Sequence, residues 1–178
     1  MSDLDFIKDK ELRGTLENSI EYIYALFENS KASEQNELYR EETHRVIILY
    51  VISAIEAVLL YFYKERDEKM EYFVYKFVSP LPKDYAHNER EGMPVVIAVQ
   101  EKIEKKEYQI GLNDLVIFFK DKKLIREKTA EDILKFNDIR NTFHFNKSRT
   151  KKCDLGHVEQ ALKLLVHTIE KAPLAMKV

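Results

Sequence analysis

A chain of 178 residues, 45% hydrophobic and 34% charged, has the length of one domain and enough apolar side chains for one sizeable core. Its formal net charge of -2 argues against general wrapping of DNA, which needs a broad cationic face to displace counterions. Four glycines and four prolines favour long helices over many-stranded sheets, so the expected class is all-α.

From Leu12 the apolar positions Leu12, Leu16, Ile20, Ile23 and Phe27 step by three or four, predicting an amphipathic helix with glutamates on its outer side. Asn29 to Gln35 is polar and small and reads as a turn, and Glu37 to Lys64 predicts a second, longer helix. The centre of that helix, Val46 to Tyr63, is apolar nearly all round. A membrane span needs about 20 apolar residues, and a mid-depth glutamate costs roughly 2.5–3.5 kcal/mol. The run is slightly short and carries Glu56 near its middle, so the preferred reading is a helix buried between its own bundle and a second subunit, with no membrane partner. Glu56 then needs either a partner, for which Arg140 is a candidate, or a surface gap that reaches solvent or a backbone donor.

Helical periodicity is lost between Met70 and Gln109. Tyr72, Val74, Phe77 and Val78 form one short run and Val95 to Val99 another, with Pro80, Pro82, Gly92 and Pro94 around them. This predicts an insertion within one domain spanning 1–178, with a two-stranded hairpin between helices. Helix resumes with the stripe Leu112, Leu115, Val116 and Phe119, for which Asn113 is the expected cap. Thr129-Ala130-Glu131-Asp132 has the form of a capping box and should start the next helix. In the last helix Asp154 is the expected N-cap, Leu155, Val158, Leu162, Leu165, Ile169 and Ala172 form the stripe, and Pro173 marks the end.

Cys153 is the lone cysteine, which precludes an intrachain disulfide or a multi-cysteine metal site. No base stands at a fixed spacing from it, so it reads as an inert thiol. The acidic start Met-Ser-Asp-Leu-Asp-Phe lacks the basic region and cleavage site of a signal peptide, and a cytoplasmic location is expected.

The chemistry-bearing run is Asp138 to Lys147. On a continuing helix Arg140 and His144 would lie about 40° apart on one face, beside Asn137 and Asn141, with Phe136, Ile139 and Phe143 as the adjoining apolar stripe. Arginine offers a fork of donors for phosphate oxygens, and histidine moves a proton near neutrality. A base that deprotonates a 2'-hydroxyl and a cation that stabilises the phosphorane charge suffice to cleave RNA without metal. The bare spacing also suits an ordinary helix C-terminus, which favours cations. Lys147 to Lys152, taken alone, reads as a solvated loop.

This Arg-Asn…His run, followed by Phe145, Asn146 and Lys147, resembles the R-x(4–6)-H signature of the HEPN (higher eukaryote and prokaryote nucleotide-binding) family. The stretch Ile55 to Leu60, the Gly111 to Leu115 helix start and the closing amphipathic helix are similar to that family as well. Three residues separate Arg140 from His144, one fewer than the family's usual minimum, and Asn146 stands where some toxin-type members have tyrosine. The resemblance implies a HEPN-like helical bundle that works as a homodimer with two motifs facing each other. It implies Arg140, Asn141 and His144 as catalytic residues, with Lys147 and Arg149 holding the RNA backbone. The implied activity is a toxin- or defence-like, metal-independent endoribonuclease, and an antitoxin or regulatory protein is a candidate partner. The alternative is a non-catalytic dimeric module that holds a nucleotide or partner protein. No metal or cofactor is expected: the five histidines show no ligand spacing and no glycine-rich loop is present.

Overall fold

A computed structural model of the chain describes residues 4–31, 36–77, 89–90, 93–94, 98–142 and 153–175. Five α-helices occur among the described residues: α1 (Lys10–Ser30), α2 (Glu37–Lys64), α3 (Leu112–Asp121), α4 (Glu127–Asn141) and α5 (Leu155–Ala175). The protein is thus mainly helical with a small antiparallel ribbon. Its contacts divide it into two units, Met1–Asp67 with Gly111–Val178, which holds all five helices, and Glu68–Ile110.

In the helical unit, Asp9 caps α1 by accepting from the backbone N–H groups of Glu11 and Leu12 at 3.0 and 3.1 Å, which satisfies two donors that a helix start leaves open. Leu16 and Ile23 of the expected stripe are buried; Leu12, Ile20 and Phe27 are half-buried. The segment before α1 also joins the core. Leu4 and Ile7 are buried, the Phe6 ring stacks on Phe62 at 5.4 Å, and the Tyr61 hydroxyl donates to the Phe6 carbonyl while accepting from the Lys8 N–H.

Helix α2 has the boundaries its sequence predicts, with Asn36 accepting from the Leu38 N–H at 2.9 Å. It contacts α1, α3, α4 and α5, and this central position is why its circumference is apolar. Ile47, Ile48, Val51, Ile52, Ile55, Val58 and Leu59 are completely buried, each worth about 1.5–3 kcal/mol of transfer free energy. By length and composition α2 could cross a membrane, yet most of its apolar stretch is buried inside the protein. A strip remains open beside α1: Leu49, Tyr50, Ser53 and Ala57 border a groove of about 360 Å³ together with Leu12, Thr15 and Ser19 of α1.

Three helix ends differ from the sequence expectation. The N-cap of α3 is Gly111, whose N–H donates to the Asp114 carboxylate at 3.1 Å; Asn113 lies inside the first turn and is used elsewhere. The N-cap of α4 is Arg126, so the Thr129-Ala130-Glu131-Asp132 sequence lies within the helix. There Ala130 already donates to the Arg126 carbonyl, and the acidic Glu127 favours the amino end of the dipole. Pro173 sits inside α5, which continues to Ala175, since a proline this close to a helix end sacrifices a single backbone bond. Asp154 does cap α5, accepting from the His157 N–H at 2.9 Å.

Helix α3 closes through a Schellman arrangement without glycine. Lys123 has φ 59°, its N–H reaches the Lys120 carbonyl, and the Leu124 N–H reaches the Phe119 carbonyl.

The second unit is built on β1 (Glu71–Phe77) and β4 (Ala98–Glu104), paired antiparallel with Tyr72 opposite Ile103 and Lys76 opposite Val99. The two-residue strands β2 (Glu89–Arg90) and β3 (Met93–Pro94) form a second pair. The expected hairpin is present; its second strand runs from Ala98 past Val99 to Glu104, and Val95 to Ile97 of the expected run lie outside the described residues. Cross-strand ion pairs Lys102–Glu71 and Lys76–Glu101 join those charged residues to β1.

Candidate functional site

The carboxyl end of α4 is where the sequence places the chemistry, and the structure holds it against α2. Phe136 and Ile139 are buried and anchor the helix; Phe143 lies outside the described residues. On the flank left open by that stripe, Arg140 Nη1 donates to Glu56 Oε2 at 2.5 Å, with the two side chains 22% and 27% exposed. Glu56 is therefore neither unpartnered in the core nor simply solvated. It holds one edge of the guanidinium through Nη1, a planar fork of donors that suits carboxylate oxygens.

Asn137 is buried, and its Nδ2 donates to Asn113 Oδ1 at 2.9 Å. Its own Oδ1 is buried with no partner among the described residues. The amide thus ties α4 to α3 and stands one turn before Arg140. Asn141 is the last residue of α4 and half-buried.

Helix α4 stops at Asn141, with Thr142 as C-cap. The Thr142 hydroxyl donates to the Ile139 carbonyl at 2.7 Å and accepts from Arg45 Nη1 at 3.5 Å. His144, Lys147 and Arg149 fall within residues 143–152, outside the described residues, as does the one-turn relation of His144 to Arg140. The chain on either side of that interval is placed. Thr142 meets Arg45, and the Cys153 carbonyl accepts from His44 Nδ1 at 3.2 Å. The described residues on either side of that interval, Thr142 and Cys153, thus contact neighbouring positions of α2.

Those two α2 residues were not legible as site residues. Arg45 is almost fully buried, its Nη2 bonded to Glu41 Oε1 at 2.8 Å and its Nε 3.9 Å from Glu42. The available signal was a lone arginine entering an apolar run with glutamates three and four positions before it. His44 looked like one of several scattered histidines. Because a carbonyl only accepts, Nδ1 carries the proton, and the buried Nε2 has no partner among the described residues.

Cys153 is buried, and burial pushes its thiol up to about 12, with the Arg45 charge opposing. A protonated, covered thiol is no nucleophile. Asp154 has its carboxyl held below the ordinary range by the backbone N–H and then the side chain of His157. Among the described residues no group of three or more His, Cys, Asp or Glu side chains could hold a metal ion.

No protein-family model, curated protein or solved structure matches this chain.

Proposed function

We propose that the protein is a homodimeric, metal-independent endoribonuclease of HEPN type, acting on single-stranded RNA in the cytoplasm in a toxin- or defence-like role. The observation that carries this reading is the Arg140–Glu56 ion pair at the end of α4, with residues 143–152 flanked on both sides by contacts to His44 and Arg45. A phosphate-binding arginine is most useful when its orientation is set before substrate arrives, and a partly exposed guanidinium held on one edge meets that need.

In this scheme Arg140 stabilises the charge that develops on the phosphorane, and Asn141 positions a phosphate oxygen. His144 of one copy takes the 2'-hydroxyl proton; the 2'-oxygen attacks phosphorus; the 5'-oxygen leaves with a proton from His144 of the second copy. The products are a 2',3'-cyclic phosphate and a 5'-hydroxyl. Lys147 and Arg149 hold the backbone without reading sequence. The open strip of α2 and α1 around Tyr50 and Ser53 is the surface offered to the second copy.

The same ion pair favours one other reading. Glu56 already neutralises Arg140, as suits a non-catalytic dimeric module that holds a nucleotide or a regulatory protein. Incubating purified protein with single-stranded RNA in EDTA separates the two. Cleavage by wild type, lost in both His144→Ala and Arg140→Ala, supports the ribonuclease. A nucleotide or protein complex lost in Arg140→Ala, without turnover by wild type, refutes it in favour of the module.

A further inference from the structure

We propose that a chamber between the start of α4 and the end of α5 binds a small anionic amphiphile, a free medium-chain alkyl carboxylate. The chamber, of about 330 Å³, falls at the lower end of the range for small-molecule sites. Its floor is Leu59, Ile133 and Ala172, all buried, and Leu124 and Ile125 continue the apolar wall. Its mouth is cationic. Arg126 and Lys171 are exposed there beside the half-buried His167, and among the described residues no carboxylate lines the chamber.

Neither Arg126 nor Lys171 forms an ion pair among the described residues, whereas Lys8, Arg13, Lys31 and Lys128 do. An adjoining hollow shares Ile125 and Arg126 and adds Lys120 and Lys123 against a single acid, Glu127. The result is an apolar compartment with a positive entrance that no carboxylate among the described residues lines. An alkyl tail buried on Leu59 and Ile133, with its carboxylate between Arg126 and Lys171, supplies both halves. A nucleotide is a poorer match, because among the described residues no phenylalanine or tyrosine lines the chamber to stack on a base. The site involves none of Arg140, Asn141 or His144, so it stands or falls apart from RNA cleavage.

The test is calorimetric titration of the full chain with sodium decanoate below its micellar concentration, with decanol, acetate and anionic phosphatidylglycerol vesicles as comparison ligands. One saturable site per chain is expected, with decanol and acetate each at least about tenfold weaker. The surface double variant Arg126→Gln/Lys171→Gln should lose about tenfold for decanoate and leave decanol unchanged. Ala172→Phe, which fills the chamber, should remove binding of both; if that variant misfolds, the double variant alone decides. Absence of saturable decanoate binding, equal binding of acetate or decanol, an unchanged affinity in the double variant, or capture by vesicles in preference to free decanoate would each overturn the proposal.

Discussion

Replacing Glu56 by glutamine removes one charge from the contact that holds Arg140 and changes little in shape. Fully exposed ion pairs contribute about 0–1 kcal/mol, and breaking a fully buried one costs about 3–5 kcal/mol. The Arg140–Glu56 pair lies between these limits, since its side chains are 22% and 27% exposed and its contact at 2.5 Å is a charge-assisted hydrogen bond worth about 1.5–3 kcal/mol. Discounting for residual solvent screening gives a coupling of about 1–2 kcal/mol. A double-mutant cycle measures it without counting the packing of either side chain: wild type, Glu56→Gln, Arg140→Met and the double variant, each unfolded in urea and followed by circular dichroism. Methionine retains the aliphatic stem of the arginine. The coupling should change little between low and high salt, because a mostly buried pair is weakly screened. A coupling below about 0.5 kcal/mol, the level at which independent sites add, would refute the view that Glu56 fixes Arg140.

Four further outcomes are expected. Asn137→Leu removes a buried acceptor that has no partner among the described residues and should cost less than about 1 kcal/mol, whereas Asn113→Ala, which strands the Asn137 amide donor, should destabilise by about 1–3 kcal/mol; urea midpoints decide. Lys123→Gly relieves the left-handed backbone at φ 59° and should raise stability by up to about 1 kcal/mol, read as an increase in melting temperature. Asp154→Ala should cost about 1 kcal/mol at neutral pH through loss of the α5 cap. The folded-state value of Asp154 is depressed, so its contribution is complete above the ordinary carboxylate value near 3.9 and disappears as pH falls through the depressed value; a stability gap that instead grows on acidification would contradict this. Cys153, buried with its thiol pushed up to about 12, should react with iodoacetamide at pH 8 far more slowly in the native protein than in urea; equal rates would show that the thiol is open.

Helix positions were readable because a helix is a local object whose buried face repeats in the sequence. The span of α2 and the cap at Asp154 require only residues a few positions apart. Caps at α3 and α4 were less legible, because Asn113 and Thr129 have the right chemistry for a cap yet lie within the first turns. Asn113 is claimed by Asn137 across the bundle, and no local pattern announces that. The hairpin shows a similar division. Aromatic and β-branched runs marked its presence, but the second strand runs on to Glu104, with its Glu101 and Lys102 paired to Lys76 and Glu71 of β1.

By itself the sequence determined a mostly helical chain around an apolar central helix and marked Arg140 as the residue to watch, with Glu56 as a possible counter-charge. Tertiary structure decided that the two meet, 84 positions apart. It also decided that the chain on either side of residues 143–152 is held by His44 and Arg45, 109 and 97 positions away from their partners. Periodicity encodes which face a helix buries, whereas the pairing of polar groups across a bundle depends on how buried faces dock. That docking is set by the summed shape of many apolar side chains, which no short stretch of sequence contains.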